Sequence, residues 1–436
     1  MTSSSPPAPP AHEVLGRQAL VLAVVLGVVA SLFASVYLGI VTGVQEWLWT
    51  DLPQDLGWDG LPWWWVLGLM LVGATIVLLA GRLPGGTGQS PLTGLHFNVT
   101  PRDAGSFLLA ATGSLVFGFV VGPEAPLIIV GTTVAALLLR GRDPKVIQLG
   151  MLLGGAAAIG LIFGNPFITA FMFLEFAAMG AVPAVALVPT FVALGTGYLV
   201  QVGVGQWSGL SMHALSVPGV PEYPHETFPD LLAGAAIAIV AGLAAVLVRE
   251  FGERVAVLAA RFRAPVLYGT AIVIAVLAIA ISRSQDVPGD LVLFSGETAM
   301  GSIMAQTSAV TVLLVILAKC LAYGLSIGGG YRGGPIFPIV YIGVGIAVLA
   351  TIVVADLPIG PMAAAAVAAA STVMLRLPFT SALLAVLVLG TAGMTIAPFA
   401  IIGAVIGFGM RQALDRFDAR RAAAPVAAPA GDGRRQ

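Results

Sequence analysis

With 436 residues, 58% hydrophobic and only 9% charged side chains, and a mean hydropathy of +0.99, the chain is built for hydrocarbon rather than water. A net charge of -1 and a sequence pI near 6.4 offer no basic surface to nucleic acid. The single cysteine, Cys320, excludes an intrachain disulfide, and His12, His96, His213 and His225 lack the spacing of a metal site, so neither an enzyme nor a bound cofactor is expected.

Taken in chain order, residues 1–16 form a Ser- and Pro-rich leader expected to be disordered. The apolar run from Gln18 to Val41 is long enough to span a bilayer and too long for a signal-peptide core. Gln45 to Pro62 follows with Glu46, Asp51, Asp55 and Asp59 but no Lys or Arg, which marks an external loop. Trp47, Trp49, Trp58, Trp63, Trp64 and Trp65 surround that loop as an interfacial belt would. Further apolar runs cover Trp64 to Ala80, Phe107 to Val121, Ala181 to Val202, Leu231 to Val248, Val266 to Ile281, Val310 to Leu325, Ile339 to Val354, Met362 to Leu375 and Ser381 to Phe408. Arg140, Arg142 and Lys145, then Arg249, Arg254, Arg261 and Arg263, then Arg411, Arg416, Arg420 and Arg421 mark cytoplasmic segments. Gln206 to Asp230, acidic and without Lys or Arg, is a second external loop. The tail, 418–436, is expected to be disordered, and no soluble regulatory domain is expected at either end.

Many of these runs are interrupted by Gly and Pro, which is tolerated at membrane depth only where the freed backbone is buried in protein or lines a wet cavity. The expectation is an all-α integral membrane protein, multi-pass in the cell membrane, with discontinuous helices over 17–417 and lipid as its surroundings.

An internal repeat organises the breaks. "GPEAPLIIVG" from Gly122 to Gly131 lies over "GPIFPIVYIG" from Gly334 to Gly343 without a gap, at an offset of 212. "NPFITA" from Asn165 pairs with "LPFTSA" from Leu377 at the same offset. The repeat halves run from about 64 to 248 and from about 266 to 408; hydropathy alone leaves parallel and inverted arrangements open.

Gly followed by Pro starts a helix, because Gly permits the turn and Pro at the first position lacks only an N–H that would be unpaired anyway. Each copy is therefore a helix N-terminus inside the protein, with the amides of Glu124, Ala125, Ile336 and Phe337 in the first turns. Free donors and the positive dipole end there suit an anion without a buried cation. A Gly-rich break, "PGGTGQSP" from Pro84 to Pro91, adds the Thr87 hydroxyl. Glu124 is an ionisable group among apolar residues, which points to function.

These residues resemble the CLC family of chloride channels and proton-chloride exchangers. The likeness rests on "GTGQSP" at Gly86 to Pro91, "GPEAP" at Gly122 to Pro126 and "GPIFP" at Gly334 to Pro338, in family order. The resemblance implies two inverted repeats of tilted, broken helices in a homodimer with one anion path per subunit. Carried over by position, it implies an anion site formed by Thr87, Gly88, Gly122, Ala125, Gly334, Ile336 and Phe337, gated by Glu124.

Departures from the family pattern shape the expected function. Pro123 replaces a basic residue and Ala125 a glycine, while Pro335 removes one amide from the third motif. In "FGNPFITAFMFLEF", Glu175 and Phe176 fall on a pair of acids, and Phe176 takes the position of the internal proton acceptor. A phenyl ring carries no proton, so passive or weakly proton-coupled movement of chloride or another small anion is expected. A proton-coupled antiporter and a carrier of fluoride or nitrate are the alternatives, with chloride, protons and lipid as partners.

Overall fold

A computed structural model describes residues 11–86, 88, 91–93, 100–208 and 215–423. In the first half the helices are α1 (Ala11–Glu46), α2 (Leu52–Asp55), α3 (Trp63–Ala80), α4 (Pro101–Leu115), α5 (Glu124–Leu138), α6 (Pro144–Gly160), α7 (Pro166–Ala178) and α8 (Leu187–Ser208). The second half holds α9 (Phe228–Arg261), α10 (Arg263–Gln285), α11 (Met300–Met304), α12 (Ala309–Gly329), α13 (Ile336–Val353), α14 (Ile359–Leu375), α15 (Pro378–Val388) and α16 (Ala397–Ala423). Among the described residues, 9 helical segments are long and apolar enough to cross a membrane, while α5, α7, α14 and α15 are apolar but shorter. The protein is a multi-pass membrane bundle.

Several expected runs are divided differently. Phe107 to Val121 is the end of α4 followed by a break, and Ser381 to Phe408 is α15 and α16 separated by single 3-10 turns at Gly390–Ala392 and Met394–Ile396. α5, α6 and α7 lie outside the expected runs altogether. Helix also begins at Ala11 and continues to Ala423, beyond the leader and tail boundaries placed at 16 and 418. Of the tryptophans, Trp58, Trp64 and Trp65 pack edge to face. Trp49 instead is buried, and its indole N–H donates to the Val116 carbonyl at 2.9 Å.

Small residues let the central helices approach closely, as they must where burial against lipid tails supplies no driving force. α14 is an Ala-rich helix whose residues from Gly360 to Val373 are all buried, packed against α9, α13 and α16. Gly403 and Gly407 of α16 lie against the carbonyls of Ala365 and Ala369, where a Cβ would meet oxygen at under 3.0 Å. α5 and α6 meet the same way through Gly131 and Gly154.

The two halves are joined by a local two-fold relation. Gly122 N–H donates to the Gly334 carbonyl at 2.8 Å, and Gly334 N–H returns a bond to Gly122 at 2.6 Å, forming an isolated antiparallel bridge. Val120 N–H donates to Ser326 Oγ at 3.0 Å, while Arg332 N–H donates to Ser114 Oγ at 2.9 Å. Phe119 stacks on Tyr331, with ring centroids 3.5 Å apart. Each pair consists of repeat mates or exchanges bonds with them, so the repeat seen in sequence is a physical symmetry. α3 runs inward from the acidic loop before Trp63, whereas its mate α10 runs outward from the basic segment ending at Arg263. The repeats are inverted.

Candidate functional site

The broken segments after α4 and α12 bring two helix N-termini together inside the bundle. Pro123 precedes α5 and Pro335 precedes α13, both in helical conformation, so each chain enters its helix directly from the Gly122–Gly334 bridge. Tyr323 of α12 anchors the second entry by donating its hydroxyl to the Pro335 carbonyl at 2.9 Å.

At the symmetric centre the two copies differ by one side chain: α5 begins with Glu124 and α13 with Ile336. The Glu124 carboxylate crosses to the other repeat, where Oε1 accepts the amides of Ile336 at 2.9 Å and Phe337 at 2.8 Å. These are the free first-turn donors of α13, and the side chain that binds them is fully buried. Each such charge-assisted bond contributes about 1.5–3 kcal/mol. Oε2 finds no partner among the described residues, at a cost of roughly 1–3 kcal/mol. It lies over Gly122 and Gly334, where a Cβ on either glycine would approach it closer than 3.0 Å. The carboxylate is thus seated on two amides and left unsupported on its other oxygen, an arrangement that holds an anionic group without locking it.

Of the expected site residues, Gly122, Gly334, Ile336 and Phe337 meet at Glu124. Ala125 does not join them; its side chain packs with Ala104, Phe107, Ala111 and Ile129 on the flank of α5. Gly88 has φ +66° and lies against the Phe107 ring. Thr87 lies outside the described residues. The rings of Phe163 and Phe337, 6.5 Å apart, give this region an apolar wall.

Glu175 and Phe176 sit at a second crossing of the repeats. Asn165 caps α7 by accepting Phe167 N–H at 3.0 Å, but its mate before α15 is Leu377, which has no acceptor. Glu175 supplies one from α7: it accepts Phe379 N–H at 3.1 Å, Thr380 N–H at 2.9 Å and the Thr380 hydroxyl at 2.7 Å. Phe176 is half-buried and edge to face with Phe173, centroids 6.0 Å apart.

Sequence reading passed over the loop between α10 and α11, which the structure places beside the site. Lys319 of α12 is fully buried, and its ammonium donates to the carbonyls of Leu293 at 2.6 Å and Phe294 at 3.0 Å and lies 4.6 Å from the Tyr341 ring centre. Phe294 N–H donates in turn to Gly118 in the first broken segment at 3.1 Å. A lysine inside an apolar run was the available signal, since a buried ammonium requires acceptors that the run itself cannot supply.

Comparison with known proteins agrees with this geometry. The family model described as voltage gated chloride channel matches residues 87–412. The YfeO proteins of Salmonella choleraesuis (strain SC-B67) and Salmonella newport (strain SL254) are each 28% identical over 310 residues, covering 69% of this chain and 72% of theirs. Among solved structures, a slow cyanobacterial Cl-/H+ antiporter superposes with a TM-score of 0.74 at 17% identity, over 93% of this chain and 98% of that one. A CLC-type fluoride/proton antiporter gives 0.69 at 20% identity with the same coverage. With its inverted repeats crossing at Gly122 and Gly334 and the family model matched over most of its length, the chain belongs to the CLC family of anion-transporting membrane proteins.

Proposed function

We propose that the protein passes chloride, or a similarly small inorganic anion, by competition between that anion and the Glu124 carboxylate for the amides of Ile336 and Phe337. The observation that carries this reading is the double amide bond to Oε1 of a fully buried acid. With the carboxylate on the amides the path is closed; protonation weakens those bonds, the side chain leaves, and a transported anion takes the same donors. Gly122 and Gly334 leave room for that exchange.

Coupling to protons is weak or absent in this reading. Phe176 carries no proton, and all of the neighbouring Glu175's assigned hydrogen bonds hold the start of α15. Proton-coupled exchange is the second reading, favoured by Glu124 itself, a titratable group in the path. Two of the solved structures that share the fold are antiporters of protons with chloride or fluoride. Each subunit of a homodimer would hold its own path; exposed apolar residues on α8 and α16, such as Leu199 and Val405, suit a lipid-facing or subunit-facing surface.

Chloride efflux from proteoliposomes tests the proposal. Loaded vesicles should lose chloride faster than protein-free ones, and an outward chloride gradient should drive little proton uptake. Fluoride or nitrate outcompeting chloride would move the substrate to that anion, and absence of any anion flux would end the proposal. Stoichiometric proton uptake driven by chloride would establish the antiporter reading instead.

A further inference from the structure

Above the Gly122–Gly334 bridge lies a cavity of about 740 Å³, walled by α1, α10 and the loops that follow them. Glu46 and Asp59 on its rim belong to the external loop without Lys or Arg, so the cavity opens outward. Asp290 and Glu297 face it from the loop after α10, and Pro123, the residue before Glu124, also lines it. Against these four carboxylates stands Arg283, while Lys319 lies behind Asp290. An anion path gains nothing from a mouth of this sign; a proton does.

Glu297 is held in place by its loop. Gly296 has φ +89°, and a Cβ there would meet the Tyr341 ring of α13 at under 3.0 Å. Lys319 and Gly118 fix Leu293 and Phe294 at the start of the same loop.

We infer that Glu297 is the outer proton acceptor of this protein: it takes a proton from external water in the cavity and passes it to the Glu124 carboxylate across the cavity floor. The step moves one proton from a hydronium to Glu297, then from the neutral Glu297 carboxyl to ionised Glu124, leaving Glu297 ionised and ready to reload. No electrons move. The inference rests on Glu124 being the gate, and it makes external acid the opening signal while the cytoplasmic side, with Phe176, has no such relay.

The electrostatics agree. Glu297 lies in the loop outside the spanning helices, and burial together with the charge of Glu124 pushes its pKa up to about 8. It is therefore mostly protonated at neutral pH and loses its proton as external pH rises through that value. The other titratable groups facing it are those already named: Glu46, Asp59, Arg283 and Asp290 in the cavity, Lys319 and Tyr341 behind the loop, and Glu124 below.

The test is chloride efflux from proteoliposomes at fixed internal pH while external pH is stepped from about 4 to 9, for wild type, E297Q, E297A, E297D and E124Q. Wild-type flux should rise on external acidification. E297Q and E297A should respond several-fold more slowly to an external acid step, because the proton must then reach Glu124 without the relay. Flux at saturating acid should be unchanged, and E297D should restore the wild-type rate of response. If both E297Q and E297A keep the wild-type rate of response while E124Q is flat in pH, the relay is wrong and the gate stands. If E124Q itself keeps the wild-type profile, the gate reading fails and the inference with it.

Discussion

Glu124 and Ile336 occupy the same place in the two repeats, and that single difference makes the site asymmetric. Two carboxylates facing across the bridge would repel, whereas one carboxylate and one aliphatic side chain let the acid of α5 use the free amides of α13. The room it occupies is made by glycine. A methyl group at Gly334 meets Oε2 and Cβ of Glu124 at under 3.0 Å, so Gly334→Ala should drive the carboxylate off the amides. The expected outcome is efflux that is raised at neutral external pH and less steep in pH, with a stability loss of about 1–3 kcal/mol from overpacking. Thermal unfolding in detergent, measured beside the efflux, checks both parts. Glu124 was legible in the sequence as an acid at a repeated helix start. That it occupies the site of Ile336 and Phe337 was expected with the help of the family resemblance, because a helix start alone says which amides are free and not which side chain crosses from the other repeat to take them.

At the scale of elements, each short helix needs an acceptor for its first turn, and the repeats meet this need differently. α7 is capped by its own Asn165; α15, with Leu377 at that position, borrows Glu175 from α7. Glu175→Ala should destabilise the protein by about 1–3 kcal/mol, since it strips the amides of Phe379 and Thr380 of their acceptor. Glu175→Gln keeps one acceptor oxygen and should cost less. Ranking the melting temperatures of the two variants against wild type tests the assignment; equal melting of all three would contradict it. The helices that sequence reading missed or misdivided include α5, α6, α7 and α15 near the crossing. α5, α7 and α15 are shorter than a straight span, and α6, though long enough, is crowded with Gly and Ala in its second half. Their starts were visible all the same, as Gly-Pro, Asp-Pro, Asn-Pro and Leu-Pro steps.

For the whole molecule, the 212-residue offset was the most informative feature of the sequence. It predicted that Gly122 and Gly334 are equivalent, and the structure bonds them to each other. Hydropathy left the handedness of the repeat open; the resemblance implied inversion, and the chain directions of α3 and α10 against their charged ends bear it out. The outer cavity was hidden because its wall is assembled from α1 and two loops far apart in sequence, with no motif of their own. In the proposed reading, the acidic outer mouth, the carboxylate on the amides of Ile336 and Phe337 and the phenyl ring of Phe176 make a path opened by protons from one side. Chloride efflux from proteoliposomes of wild type and Glu124→Gln, compared across external pH, tests this most directly. The account predicts wild-type flux that climbs as external pH falls and Glu124→Gln flux that is several-fold higher at neutral pH and flat. Identical flux and pH dependence in the two proteins would contradict it.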